Sequence, residues 1–407
     1  MNRAQRRAGR IGALVAGASA VAVGTSLANV VGYVLTVVAA RVLGPDEFGA
    51  FGALLALIIA GSVAALAVQA TCARVTARGE PQPPTVRTGL FLALLVGAAL
   101  AVLSPVLGTF LQLSSMVPVI AAVAGITAFT ATAPALGVVQ GAERFRALGA
   151  LVACQAVLRV AGGLAGMAVH PTASGALVGI AAGLALAGLV AWGVARPPLR
   201  VAGRGRPDGL GGPLRATLAS GGMLLGFVVL TNVDVFLSRH VLSAESSGLY
   251  AAGSIFTKIA FWLPQFVPLV AFPALTDPRR RPRAIRLGLL AVAVSGCALV
   301  ATAALFAGPV VAVVAGSQYD ALVPWVAGFT ALGALLALAQ LLVYAQLATG
   351  DRMTTTVVWA VVVGYVAVVE LRADELGGVL FPALGAAGLV VLWGIGRERA
   401  TGIAPPP

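Results

Sequence analysis

The segment Arg41-Val-Leu-Gly-Pro-Asp-Glu-Phe-Gly-Ala-Phe-Gly-Ala53 separates two long stretches of a different kind. Before it, Ile11 to Ala40 carries no charged residue; after it, an apolar run extends from residue 49 to residue 72. A bilayer core of about 30 Å is crossed by roughly 20 apolar helical residues, so each run is long enough to span it. The segment is therefore a short charged connection between two membrane-spanning helices. Its pattern returns at an offset of 199 residues, where it lies over His240-Val-Leu-Ser-Ala-Glu-Ser-Ser-Gly-Leu-Tyr-Ala-Ala252. Four of the thirteen positions are identical, and Asp46/Glu245 and Phe51/Tyr250 are similar. The same ungapped offset sets Arg87-Thr-Gly-Leu90 over Arg286-Leu-Gly-Leu289. The repeat predicts two six-helix lobes in the same orientation, an arrangement found among transporters, with the substrate path between the lobes.

Composition agrees with a chain built for lipid. Of 407 residues, 59% are hydrophobic and 10% charged, against roughly 25% charged in a soluble domain, and the mean hydropathy is +0.98. A soluble globular protein is excluded. The 50 glycines and 23 prolines suit membrane helices, where small residues allow close approach and neighbours satisfy the backbone that proline frees. The net charge of +13 does not point to nucleic acid, because the basic residues are scattered in short loops without an aromatic platform. Cys72, Cys154 and Cys297 lie in apolar runs without metal-ligand spacing and read as small packing residues. His170 and His240 are too far apart in sequence to form a ligand pair. No cofactor is implied, and no ATP-binding motif occurs. Arg3, Arg6, Arg7 and Arg10, the apolar stretch after them and Ser26-Leu27-Ala28 imitate a signal peptide. The uncharged run to Ala40 is about twice as long as a signal needs, so it is read as the first span.

Uncharged runs predict an all-α polytopic membrane protein with twelve spans, near 16–40, 49–72, 89–111, 117–140, 147–169, 174–195, 216–238, 248–272, 287–308, 323–347, 354–369 and 376–396. The eleventh is short. Residues 1–195 form the first lobe, the basic Gly/Pro-rich stretch 196–215 a cytoplasmic linker, and 216–407 the second lobe. With both termini cytoplasmic, 22 of the 27 basic residues fall on the inner side, and only Arg41, Arg239 and Arg372 on the outer, as the positive-inside rule demands. The expected location is the plasma membrane, as a multi-pass protein.

The segment Ala40 to Gly49, A-R-V-L-G-P-D-E-F-G, resembles the start of bacterial oligosaccharide flippases of the polysaccharide biosynthesis protein family. Asn232 to Ser254, N-V-D-V-F-L-S-R-H-V-L-S-A-E-S-S-G-L-Y-A-A-G-S, is similar to that family's second-lobe counterpart, and Val138 to Phe145, V-V-Q-G-A-E-R-F, to its fourth-span exit. The resemblance covers most of residues 20 to 275, extends beyond about 300 only by hydropathy, and is characteristic of the family rather than of one substrate. It implies membership of the superfamily shared with lipid II flippases and multidrug exporters, with two lobes and alternating access.

Within the spans a charge costs about 2.5–3.5 kcal/mol by insertion scales, which singles out Arg159, Asp234 and Lys258. Gln155 precedes Arg159 by one turn, and Gly162 and Gly163 follow on the same face. Lys258 shares a stripe with Tyr250, Ser254 and Gln265. Thr231, Asp234 and Ser238 form another, and Ser26, Asn29, Tyr33 and Thr36 a third on the first span. These walls predict one central cavity with two fixed cations and one anion, suited to the pyrophosphate of a lipid-linked oligosaccharide. Other readings stand beside this one. Asp234 could pair with Lys258 or Arg239 to fix packing, Lys258 and Arg159 could be structural, and Arg41 could bridge to Asp46 and Glu47 or contact headgroups as readily as steer substrate. Pro264, Pro268 and Pro273 could be hinges or static kinks, and Arg279 to Arg286 reads as a topology anchor facing anionic lipid.

The expected function is flipping of a polyprenyl-pyrophosphate-linked oligosaccharide from the inner to the outer leaflet. Partners would be membrane lipids and the glycosyltransferases or polymerase of the same pathway. A multidrug exporter of the same superfamily is the alternative. A membrane glycosyltransferase or ligase fits less well, because the outer connections are short and the adjacent Asp374 and Glu375 diverge; an enzyme is not expected. A purely structural scaffold is the remaining class.

Overall fold

The computed structural model describes residues 24–79, 83–196, 222–265, 281–349 and 351–403, and all regular structure among them is helical. In chain order the helices are α1 (Gly24–Val42), α2 (Pro45–Ala77), α3 (Pro83–Phe110), α4 (Val117–Gly141), α5 (Phe145–Val169), α6 (Ala173–Ala195), α7 (Gly222–Leu230), α8 (Val233–Val241), α9 (Ala244–Trp262), α10 (Arg281–Leu305), α11 (Ala307–Val314), α12 (Val326–Thr349), α13 (Arg352–Arg372) and α14 (Leu376–Ile403). Short 3₁₀ segments occupy Leu263–Gln265 and Ser317–Trp325. Ten helices among the described residues are long and apolar enough to cross a membrane, and α7 with α8 makes an eleventh if the bent pair is one span. The chain is a multi-pass integral membrane protein.

Each predicted span meets a helix, with corrections in the second half. The seventh is not one unbroken rod: α7 and α8 meet at an angle of 46°, and α8 continues to Val241. Local chemistry explains the break. Thr231 Oγ1 and Asn232 Nδ2 both donate to the carbonyl of Val228, at 3.0 and 2.9 Å, and Asn232 N–H bonds back to Val229. Side chains thus take an acceptor that a continuing helix would use. The helix of the eighth span starts earlier than predicted, at Ala244, where Ser243 Oγ accepts from Ser246 N–H at 3.2 Å; α9 itself closes at Trp262, the Leu263–Gln265 turn follows, and the predicted remainder 266–272 lies outside the described residues. It carries Glu245 and Lys258 and is not among the helices counted as apolar enough to cross. The eleventh span, predicted to be short, is the 21-residue α13, started by Asp351, which caps Met353 N–H at 3.1 Å. Helix α11 and the Ser317–Trp325 turn were not predicted.

The described residues within Met1–Val42 and Gly61–Leu218 form one compact unit, and those within Leu43–Ala60 and Ala219–Pro407 a second. Helix α2 is thus divided after Ala60. In the first unit α5 and α6 form an antiparallel hairpin so close that a Cβ on Gly162 or Gly166 would overlap the carbonyl oxygens of Gly179 or Gly175. Helix α1 runs beside α5 in the same direction, Gly24 against Gly149 and Leu35 against Gly163. The rear of α2 runs likewise beside α4, with Gly61 at Ile126, Gly137 at Gln69 and Gly141 at Ala73.

In the second unit the two copies of the repeated connection touch. Gly49, at the start of α2, faces Gly248, its partner at the 199-residue offset, and Gly52 faces Ala251. Beside them Arg239, only 5% exposed, pairs with Asp46 Oδ1 at 2.6 Å and donates to Asp46 O and Ser247 Oγ at 3.2 and 3.1 Å. At one end of this unit Arg281 binds Glu398, which also accepts from Gln346 at 2.6 Å, and Arg397 binds Asp351 at 3.0 Å. The hydrogen bond from Arg397 holds the Asp351 carboxyl below the usual carboxylate range.

Candidate functional site

In the first unit, α5 carries two of the predicted polar side chains on one face, and one of them meets α1. Gln155 and Arg159 stand one turn apart on α5, and the Arg159 guanidinium presses on α1, where a Cβ on Gly32 would lie 3.0 Å from Nη2. Tyr33 is the next residue of α1. Tyr33 Oη, Gln155 Nε2 and Arg159 Nε are all buried without a hydrogen-bond partner among the described residues, and no ion pair involves Arg159 there. All three atoms can donate. An unsatisfied buried donor costs about 1–3 kcal/mol, more when charged, and what relieves a set of donors is an acceptor with several lone pairs. A phosphate or carboxylate meets that description.

The second unit has the opposite need. Asp234, near the start of α8, is 4% exposed. Its Oδ2 accepts from Tyr250 Oη at 3.1 Å, while Oδ1 is buried without a partner. Lys258 on α9 acts on Asp234 through its charge, yet no direct ion pair joins them among the described residues. Tyr365, on α13, completes the cluster electrostatically and hydrogen-bonds the Val379 carbonyl at 3.3 Å. Sequence reading missed Tyr365; its only signal was a hydroxyl inside the apolar run 354–369. Arg239 is not Asp234's partner, being taken by Asp46.

The remaining predicted residues are dispersed. Asn29 is half-buried on α1 and Arg41 is exposed at its end. Ser254 is buried and donates to the Ala251 carbonyl at 2.7 Å. Gln265 ends the short 3₁₀ turn, and its side chain lies outside the described residues, as do Pro268, Pro273, Arg279, Arg280, the stretch 197–221 and the basic residues before Ile11. Thr36 donates to Gly32 O at 3.1 Å. Cys72 is buried, Cys154 half-buried and Cys297 exposed rather than a core residue. No group of three His, Cys, Asp or Glu residues able to hold a metal occurs among the described residues.

No protein-family model matches the sequence, and no curated protein sequence matches it. Solved structures do. The chain is similar in fold to an inward-facing multidrug resistance MATE family transporter of the MOP superfamily, with a TM-score of 0.71 and 14% identity over 90% of this chain and 94% of that one. An outward-facing structure of such a transporter gives 0.61 and 15% over 95% and 96%. A MOP superfamily transporter from Pyrococcus furiosus, noted for a binding pocket of reversed polarity, gives 0.55 and 13% over 95% and 96%. At these identities the likeness is one of fold.

Proposed function

We propose that the chain is an alternating-access transporter of the plasma membrane. It carries a polyprenyl-pyrophosphate-linked oligosaccharide from the inner to the outer leaflet for cell-surface polysaccharide synthesis. The observation that carries this reading is the pair of buried donors Gln155 Nε2 and Arg159 Nε, one turn apart on α5 and without partners among the described residues. Arginine offers a planar fork that binds two phosphate oxygens at once, and Gln155, one turn away on α5, adds a neutral donor. A cation in an apolar helix with no ion pair among the described residues bears an insertion cost of about 2.5–3.5 kcal/mol, and an anionic substrate returns it. The fold shared with MATE family transporters supports transport between leaflets, and the 199-residue repeat supports two lobes that exchange access. Glycosyltransferases of the same pathway would supply the substrate, and a polymerase would consume it.

A multidrug exporter is the second reading, favoured by the activity in the names of the similar structures and by the buried carboxylate Asp234. Reconstituted vesicles separate the two. With a fluorescent short-chain polyprenyl-pyrophosphate sugar as probe, Arg159→Ala should lower flipping by about tenfold or more, while abundance stays normal because the variant sheds an unpaired charge. Arg159→Lys should fall between, keeping charge without the fork. Unchanged flipping in Arg159→Ala, or efflux of a cationic dye that does not need Arg159, sinks the flippase reading.

A further inference from the structure

The end of the second unit that carries Arg281 and Glu398 uses only part of its positive charge. Arg281 and Arg397 are held by Glu398 and Asp351, whereas Arg283, Arg286 and Arg399 are exposed and enter no ion pair among the described residues. We infer that the exposed face of α10 binds one anionic phospholipid, with Arg283 and Arg286 on its headgroup and the apolar stripe beyond them on its acyl chains. The inference goes beyond the transport reading and holds for any transported substrate.

The sequence of α10 sets two faces back to back. Ile285, Val292 and Ala303 are buried, and Gly296 lies against Ala334 of α12. On the opposite face Arg283, Arg286, Leu287, Leu290 and Val294 recur at helical spacing, and each of the three apolar residues is more than half exposed. From Arg283 to Val294 the helix rises about 16 Å at about 1.5 Å per residue. That is one leaflet's share of a hydrocarbon core of about 30 Å. The stripe thus has the length of one layer of acyl chains, with guanidinium groups at one end of it only.

Charge complementarity selects the occupant. Helix α10 contains no acidic residue, so neither guanidinium has a carboxylate on its own helix, and Arg399 adds a third exposed cation at this end. Phosphate oxygens suit the planar guanidinium fork. A headgroup of net negative charge neutralises these cations, whereas a zwitterionic one brings a cation of its own against them. A second copy of the chain fits less well. A two-fold axis along the membrane normal would set Arg283 and Arg286 of both copies at the same depth, on faces without an acidic group.

The test needs no transported substrate. The full chain in non-ionic detergent is titrated with phosphatidylglycerol or with phosphatidylcholine of the same chain length, and bound lipids are counted by native mass spectrometry. The wild-type chain should bind the first phosphatidylglycerol about tenfold or more tighter than phosphatidylcholine. Arg283→Gln with Arg286→Gln should bring the two lipids to within about twofold of each other, at normal abundance because both positions are exposed. A charge-matched control, Arg87→Gln with Arg372→Gln, removes two exposed arginines from other helices and should keep the preference. Glycerol phosphate, the headgroup without its chains, should not displace the lipid at equal concentration. Equal binding of both lipids by the wild-type chain overturns the proposal, as does a preference that survives in Arg283→Gln with Arg286→Gln. An equal loss in the control also overturns it, since the attraction would then be to overall charge. Displacement by glycerol phosphate would leave the stripe without a role, and a dimer abolished by Leu287→Ala with Leu290→Ala would make a second copy the occupant; either result overturns it too.

Discussion

Two arginines of this chain show how partners decide a residue's role. Arg239 is 5% exposed and fully engaged: its guanidinium meets the Asp46 carboxylate and carbonyl and the Ser247 hydroxyl. Among the described residues Arg159 has no ion pair, and its Nε has no hydrogen-bond partner. Removing Asp46 would therefore deprive a buried cation of this carboxylate partner. Because the Asp46 side chain is 61% exposed, the loss should be well below that of a fully buried pair, about 1–2 kcal/mol. Asp46→Ala should lower the temperature at which the detergent-solubilised chain loses its monomeric peak, and Arg239→Met should be milder, since it removes the charge that needs a partner. Equal or reversed effects would mean that Asp46 contributes nothing to holding Arg239. The sequence made Arg159, Asp234 and Lys258 conspicuous because a charge inside an apolar run stands out by itself. It could not assign Arg239 to Asp46, 193 positions away, since pairing over that distance is a product of the fold.

Helices of this chain are joined by what glycine leaves out. At the α5–α6 hairpin the backbones approach until a Cβ on Gly179 would overlap the Gly162 carbonyl, a small-residue contact of the kind that replaces hydrophobic driving force in lipid. Gly179→Ala must push the helices apart, at a cost of about 1–3 kcal/mol or more. Gly193→Ala, on the same α6 with open space around it, should be neutral or gain up to about 1 kcal/mol from helix propensity. Abundance of fluorescent fusions checks both: a Gly179→Ala chain as abundant as Gly193→Ala would contradict the close approach. The composition showed that glycine is a packing residue here, yet not which glycines meet, because spacing on one helix does not name the facing helix. The α7–α8 break was legible only as Asn232 in an apolar run. What made it a break is the competition of the Thr231 and Asn232 side chains for the Val228 carbonyl, which no hydropathy count contains.

At the scale of the molecule, the alternation of crossings can be tested from contacts within each unit. Odd-numbered spans must run one way and even-numbered spans the other. Helix α1 lies parallel to α5 and the rear of α2 parallel to α4, while α5 and α6 are antiparallel. In the second unit the start of α10 meets the end of α14 through Arg281 and Glu398, and the start of α13 meets it through Asp351 and Arg397. The end of α8 meets the end of α13 through His240 and Glu370. Helices α8, α10 and α13 belong to the seventh, ninth and eleventh spans and α14 is the twelfth, so each pairing joins ends that alternate crossing places on one side. Contacts alone do not say which side faces the cytoplasm; the basic residues supply the expectation, because Lys and Arg near span ends are retained inside. A reporter fused after Arg204 or Arg281 should therefore read as cytoplasmic, and one inserted near Ser246 or Asp320 as external. An inverted pattern at all four sites would leave the helix order intact and reverse the direction of transport proposed here. An external reading at Arg204 alone would instead require an odd number of crossings before it, contrary to the six helices α1 to α6, and would remove the structural basis for treating the halves as repeats in one orientation.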